Sequence, residues 1–242
     1  MYHLVKSLYL HATSKEEYSL LLLGLDAAGK TTLLNQIKSI YLPPSTSTST
    51  STSSTPAAPP PPPKQSNPPP PTVGQNLTTL SLPDMYLRIW DVGGHPPLRR
   101  LWPSYYASAH AIVFVLDATD AALATRLDEA RRVLADVLRH DDVGDLPVLV
   151  LANKRDRDDW VEVVRVKEGL VRWVVEREGV GGEEDGEGDG ERAGRTGGGL
   201  GGVRDSRVLP VSALEGTGVK EAVEWVRTRV QWNRDIRPPV MR

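Results

Sequence analysis

Gly24-Leu25-Asp26-Ala27-Ala28-Gly29-Lys30-Thr31-Thr32 has the spacing G-x-x-x-x-G-K-[ST]. It stands between an apolar run, Tyr18–Leu23, and a segment whose apolar positions Leu33, Leu34, Ile37 and Tyr41 mark one helical face. That setting, strand then loop then helix, gives the motif its meaning. The glycines allow a tight loop whose backbone N–H groups converge on phosphate oxygens, and the helix N-terminus adds its partial positive charge. Lys30 reaches the β- and γ-phosphates, and the Thr31 hydroxyl can ligate Mg2+. On its own the motif specifies a nucleoside triphosphate, and neither the base nor the reaction.

Outward from this loop the chain alternates strand and helix. Apolar runs at Tyr18–Leu23, Met85–Trp90, Ala111–Asp117, Leu146–Ala152 and Val208–Val211 read as buried strands. A charged helix over Ala121–Leu138 turns Leu127, Ala130, Val133, Leu134 and Val137 inward, and a last helix carries Val219, Ala222, Val223, Val226 and Val230 on one face. Continuous apolar strands alternating with helices predict an α/β fold: a mostly parallel central sheet with helices on both faces. Two stretches break the pattern. Residues 41–70 are rich in Pro, Ser and Thr, and residues 178–202 are acidic and Gly-rich, with neither a 2- nor a 3.6-residue apolar period. Neither can bury enough surface to offset the entropy of ordering it, so both read as disordered insertions. Without them roughly 190 residues remain, enough for one domain.

Composition narrows the function. The chain of 242 residues is 39% hydrophobic and 25% charged, and its aliphatic runs are far shorter than a membrane span. The formal charge of −2 supplies no basic field for nucleic acid, and the basic end from Arg227 to Arg242 reads as a solvated helix terminus. The absence of cysteine excludes disulfides, thiol nucleophiles, zinc–thiolate sites, prenylation and palmitoylation. The opening Met1-Tyr2-His3 lacks the glycine that myristoylation needs, and no signal-peptide pattern follows. The expectation is an intracellular protein with no lipidation site, whose membrane contact is peripheral.

In a parallel sheet of this kind ligands sit at the carboxyl ends of the strands. The run Met85–Trp90 leads into Asp91-Val92-Gly93-Gly94-His95. Asp91 is placed to hold Mg2+ through water, and Gly94 can offer an unshielded N–H to a γ-phosphate. Leu146–Ala152 ends in Asn153-Lys154-Arg155-Asp156. The Asp156 carboxylate can accept from both N1–H and the 2-amino group of guanine, a donor pair that adenine lacks. Asn153 can bond N7 or tie neighbouring loops, and the Lys154 stem can cover the ring. After the last strand, Ser212-Ala213-Leu214 can bring the Ala213 N–H to guanine O6.

Four such signals in order resemble the small GTPases. Gly24 to Thr32, Trp90-Asp91-Val92-Gly93-Gly94 and Pro71-Thr72-Val73-Gly74-Gln75-Asn76 are similar to the ADP-ribosylation factor (Arf) family, the last of these to its switch I. Gln75, where most Arf proteins carry Phe, resembles the Arf-related subfamily, as do Met1-Tyr2-His3-Leu4-Val5-Lys6, Ser206 to Leu214 and Arg237-Pro238-Pro239. The resemblance implies a P-loop small GTPase fold with an N-terminal amphipathic helix. It implies Mg2+ held by Thr31, Thr72 and, through water, Asp91. The nucleotide loops it implies are Gly24, Leu25, Asp26, Ala27, Ala28, Gly29, Lys30, Thr31 and Thr32, then Thr72, Asp91 and Gly94, then Asn153, Lys154, Asp156, Ser212, Ala213 and Leu214. Hydrolysis of GTP to GDP would involve His95, Gly94, Lys30 and Thr72. The expected organisation is an amphipathic helix over 1–17, a GTPase domain over 18–236 holding both insertions, and a tail over 237–242. The resemblance further implies vesicle and protein transport at the Golgi, especially the trans-Golgi. The partners implied are an exchange factor, a GTPase-activating protein, effectors at the switches and an integral-membrane receptor for the N-terminal helix.

Two departures bear on mechanism. The family's water-orienting Gln is His95 here, followed by Pro96 and Pro97, which predicts weak intrinsic hydrolysis with nucleotide binding intact. A GTP-binding recruitment module that does not hydrolyse unaided is the alternative. A P-loop ATPase or nucleotide kinase is a third reading, disfavoured by Asp156. Arg99 and Arg100 read as solvated switch charges. The second departure is the Pro/Ser/Thr insertion ending beside Thr72, read as a neutral expansion.

Overall fold

The computed structural model of the protein describes residues 15–42, 72, 74–178 and 205–242. Strand β1 (Glu16–Leu23) lies between β3 (Met85–Val92) and β4 (Ala111–Asp117), bonded in parallel to both. A strand in that position is covered on both faces, which is why Leu20 to Leu23 are all apolar and at most 3% exposed. β4 pairs in parallel with β5 (Val148–Asn153), and β5 with β6 (Ser206–Pro210). β2 (Gln75–Ser81) adds antiparallel to β3 at the other edge, giving the order β2-β3-β1-β4-β5-β6. From β1 the sheet grows both ways, so the loop after β1 opens at the point where the strand order reverses.

Helices cover both faces. Helix α1 (Lys30–Tyr41) and α6 (Val219–Trp232) pack on one face, where Leu33, Leu34, Ile37, Val223, Val226 and Val230 meet Leu20, Leu22 and Val113. On the other, α4 (Asp120–Leu138) buries Ala130, Leu134 and Val137 against Leu21, Phe114 and Val150, and α5 (Val163–Glu178) adds Val166 and Leu170. Each large side chain so buried contributes roughly 1.5–3 kcal/mol. Two one-turn helices, α2 (Pro96–Arg99) and α3 (Pro103–Tyr106), follow β3.

The fold is the mostly parallel α/β sheet that the alternation predicts, with several boundaries moved. β1 begins at Glu16, so the expected helix over 1–17 cannot extend past Lys15, and residues 1–14 lie outside the described residues. Tyr41 closes α1 and α5 runs to Glu178, so neither belongs to the insertions read as 41–70 and 178–202; residues 43–71 and 179–204 lie outside the described residues. The tail is not a separate segment. Val240 and Met241 form β7, antiparallel to Glu17 and Glu16, in the space beside β1 that β4 leaves below Leu20. The buried His110 ring joins this end to the sheet: Nδ1 accepts from the Ser19 N–H at 3.0 Å and Nε2 faces Pro238 O at 3.1 Å. Three elements had no clear sequence period. β2 is a half-exposed edge, β7 has two residues, and α5 opens on Val163, Val164 and Val166, of which Val164 is exposed, so no single apolar face stands out.

Candidate functional site

The loop from Gly24 to Gly29 joins β1 to α1. Gly29 has φ +98°, and a Cβ there would strike the Asn153 amide, so this position takes only glycine without strain. Its carbonyl accepts the first helical bond, from Leu33, and no side chain caps the helix, which leaves the first-turn N–H groups facing the loop. Lys30 is 6% exposed, and its Nζ donates to the carbonyls of Gly24 at 2.9 Å and Leu25 at 2.8 Å. Burial pushes this ammonium down to about 8. An anion in the loop would compensate what burial has cost the charge.

Three oxygen-bearing side chains from three different elements meet beside Lys30. Thr31 Oγ1 donates to Asp91 Oδ2 at 2.9 Å and lies 2.8 Å from Thr72 Oγ1. Asp91 is fully buried, its Oδ1 has no hydrogen-bond partner, and burial pushes its carboxyl up. A buried carboxylate oxygen without a hydrogen-bond partner next to two hydroxyls is a set of oxygen donors that a hard cation would suit.

The segment after β3 closes over this point. The Gly93 N–H donates to Gly74 O at 3.0 Å, and Trp102 Nε1 donates to Gly93 O at 3.2 Å. Gly94 is packed so closely on Gly24 O and Lys30 Nζ that any Cβ would displace one of them. Arg99 is not the solvated charge that its sequence suggests. Its side chain is only 15% exposed, with Nε donating to Gly94 O at 2.7 Å and Nη2 to Glu129 at 2.8 Å. Arg126 binds Asp26 of the loop at 2.7 Å and Glu129 at 3.1 Å, so α4 ties the phosphate loop to the segment after β3. Arg100 is exposed. His95 is exposed in extended backbone as the N-cap of α2, and Pro96 and Pro97 occupy the first helical positions, where a missing N–H costs little.

The two loops expected to read the base, after β5 and β6, form a second cluster. Asn153 is 1% exposed; its Nδ2 donates to Ala28 O at 2.7 Å and its Oδ1 accepts from the Ala213 N–H at 2.9 Å. Asn153 therefore ties loops together, and the Ala213 N–H expected at guanine O6 is already given to it. Ser212 Oγ donates to Asp156 Oδ1 at 2.6 Å, orienting that carboxylate from below. Lys154 Nζ is held by Asp117 Oδ2 at 2.6 Å, which leaves its stem as the ring-facing part. Leu214 is 62% exposed and Ala27 is also exposed, so these two expected residues bring no buried side chain to the cluster; Thr32 is half-buried.

Sequence reading missed Asp117, Arg126 and Glu129. Asp117 ends β4, so the rule that found Asp91 and Asn153 could have found it. Arg126 and Glu129 had no local signal, because their meaning comes from distant partners, Asp26 for Arg126 and Arg99 for Glu129.

Comparison with known proteins agrees with this geometry. The model of the ADP-ribosylation factor family matches residues 2–55 and 63–230. The chain is 37% identical over 241 residues to ADP-ribosylation factor-like protein 3 of Saccharomyces cerevisiae, covering 99% of each chain. It is 32% identical over 242 residues to ADP-ribosylation factor-related protein 1 of Rattus norvegicus, covering all of this chain and 98% of the relative. Among solved structures, the Arl6 BBS3 small GTPase of Trypanosoma brucei, with the bound nucleotide analogue GppNp, superposes with a TM-score of 0.61 at 23% identity. That superposition covers 89% of this chain and 98% of the other, and it shows the shared fold. The family match along most of the sequence, on a sheet that brings Lys30, the Gly93-Gly94 turn and the Asn153–Asp156 loop to one end, makes the chain a member of the ADP-ribosylation factor family of small GTPases, proteins that bind GTP and GDP and hydrolyse GTP.

Proposed function

We propose that this chain is an Arf-related switch that changes its surface between GDP and GTP and recruits effectors at Golgi membranes, above all the trans-Golgi. The observation that carries the switch is the meeting of Thr72, Thr31 and Asp91 beside Lys30, with Gly94 closed on the same point. Residues on both sides of the β2–β3 hairpin would meet a γ-phosphate bound here, and the third phosphate would then hold them in place. The donor set, two hydroxyls and a buried carboxylate with an unpaired oxygen, fits Mg2+, which takes oxygen ligands and keeps several waters. Thr31 and Thr72 would hold it directly and Asp91 through water; once bound it would neutralise charge on the phosphates. Lys30 and the first-turn N–H groups of α1 would grip the β- and γ-phosphates, the Gly94 N–H would meet the γ-phosphate, and Asp156 would read guanine.

The Golgi role, an exchange factor, an activating protein and a membrane receptor for residues 1–14 rest on the resemblance to Arf-related proteins. Among the described residues no helix is long and apolar enough to cross a membrane. The elements from β1 to β7 together hold the whole site.

His95 is the mechanistic departure. It stands exposed at the mouth of the site, where a Gln could hold a water with both a carbonyl and an amide. A neutral imidazole offers one donor and one acceptor on a shorter, stiffer group. Unaided hydrolysis is therefore slow, and His95→Gln raises the single-turnover rate about tenfold or more. Single-turnover GTP hydrolysis on both proteins checks this; a slower Gln variant would mean that the imidazole acts as a base.

A further inference from the structure

Asp26 puts a carboxylate in the loop that is built to receive an anion. The loop ends at the N-terminus of α1, whose partial positive charge attracts any negative group nearby, a side chain as readily as a phosphate. Unopposed, Asp26 would compete with a ligand for that field and repel it. Gly94 comes so close to Leu25 and to Lys30 Nζ that a Cβ would strike both. Asp26 follows Leu25 directly and is half-buried, so its charge stands beside the place read above as that of the third phosphate.

Helix α4 answers this charge. Arg126 Nη2 donates to Asp26 Oδ1 at 2.7 Å and Nη1 to Asp26 O at 3.1 Å, so one guanidinium grips both the side chain and the backbone of that residue. Glu129, a turn further along α4, accepts from Arg126 at 3.1 and 3.2 Å and from Arg99 Nη2 at 2.8 Å. Arg99 Nη2 also lies 3.7 Å from Asp26 Oδ1. Two carboxylates and two guanidiniums thus make a neutral tetrad. Burial pushes the Asp26 carboxyl up, but the bond and charge of Arg126, and then the charge of Arg99, bring it below its ordinary value. Asp26 is therefore ionised at neutral pH. Lys30 feels the tetrad: after burial and Asp91, the charges that act on it are Asp26, Arg99 and Arg126.

We propose that Arg126 is the counter-charge that lets an acidic phosphate loop hold a triphosphate, neutralising Asp26 and keeping its carboxylate turned to α4 and off the anion cradle. The inference rests on the reading of the site as one for a guanosine polyphosphate. Arg126 acts through Asp26, so it is a positioning residue. Without it the tetrad carries a net negative charge, since Arg99 is already committed to Gly94 O and Glu129. A triphosphate carries more negative charge than a diphosphate, and its additional phosphate lies on the Gly94 side, next to Asp26. It therefore loses more when that charge is uncovered.

Dissociation constants for GDP and for a non-hydrolysable GTP analogue, with Mg2+, on the full chain test this, with circular dichroism to check folding. At low salt Arg126→Ala lowers analogue affinity about five- to tenfold and GDP affinity about twofold. The analogue's loss shrinks as ionic strength rises to about 0.5 M. Arg126→Gln, which keeps a hydrogen-bond donor and most of the side-chain length but no charge, loses as much as Arg126→Ala. Asp26→Asn added to Arg126→Ala restores analogue affinity to within about twofold of wild type, because nothing is left to neutralise. A brace that only holds the loop in place gives no such rescue, and the double variant then binds as poorly as Arg126→Ala. That outcome, equal losses for both nucleotides, or an Arg126→Ala or Arg126→Gln variant that binds like wild type would overturn the counter-charge while leaving the nucleotide site standing. A wild-type protein that binds neither nucleotide would overturn the underlying reading and the counter-charge with it.

Discussion

Lys30→Ala lowers affinity for guanosine triphosphate by at least about a hundredfold, roughly 3 kcal/mol, measured by calorimetry with Mg2+ present. The size follows from burial. In the free protein the ammonium is nearly withdrawn from water and satisfied by only two carbonyls, Gly24 and Leu25. A phosphate oxygen in the loop would give it a third, charge-assisted bond, and such a bond in a buried place is worth more than one at the surface. Burial also makes the same group respond to pH. With Lys30 pushed down to about 8, the free protein loses this proton as the pH rises through that value. Phosphate binding restores it, so above pH 8 binding takes up a proton and affinity falls. Between pH 7 and pH 9 the loss is about tenfold, and Lys30→Ala is flat over the same range. Circular dichroism checks that the variant is folded. A wild-type affinity independent of pH up to 9 would mean that the lysine does not face the phosphates.

Asp156→Ala removes the preference for guanine. The carboxylate is held from below by the Ser212 hydroxyl at 2.6 Å and stands beside Asn153, whose amide joins Ala28 to Ala213. Such a preset acceptor takes two hydrogen bonds from guanine, and sites built to bond a specific group discriminate strongly against bases without it. GTP affinity falls about a hundredfold, while the already weak ATP affinity changes little, so the ratio between the two purines collapses. Competition of both nucleotides against a fluorescent guanosine analogue reads that ratio directly. If the ratio stays, the guanine reader is another group.

The parts of the fold legible in the sequence were those with a strong period or a strong spacing. Leu20–Leu23 of β1 and Ala111–Leu116 of β4 are apolar without a break because neighbours cover both faces, and α6 shows its buried series without interruption. The phosphate loop was legible because its glycines and its lysine are needed locally, whatever packs around them. What could not be read depends on distant contacts. The edge strand β2 carries Gln75, Asn76 and Leu77 exposed, so it has no apolar alternation at its start. β7 exists because β4 leaves the beginning of β1 unpaired, which is a property of the sheet and not of Val240 and Met241. Arg99 looked like a solvent charge because its partners, Gly94 O and Glu129, are brought to it by two other elements. Asn153 was read as a group that either bonds the base or ties loops; its partners show that it ties loops.

All of these effects depend on the converging loops gripping one guanosine polyphosphate. Heat-denaturing the purified protein and separating the released small molecules by ion-exchange chromatography tests this most directly. The account predicts close to one GDP or GTP per chain, retained with Mg2+ and released by chelation. Adenine nucleotide in its place, or protein that stays folded and empty when offered GTP and Mg2+, would contradict it.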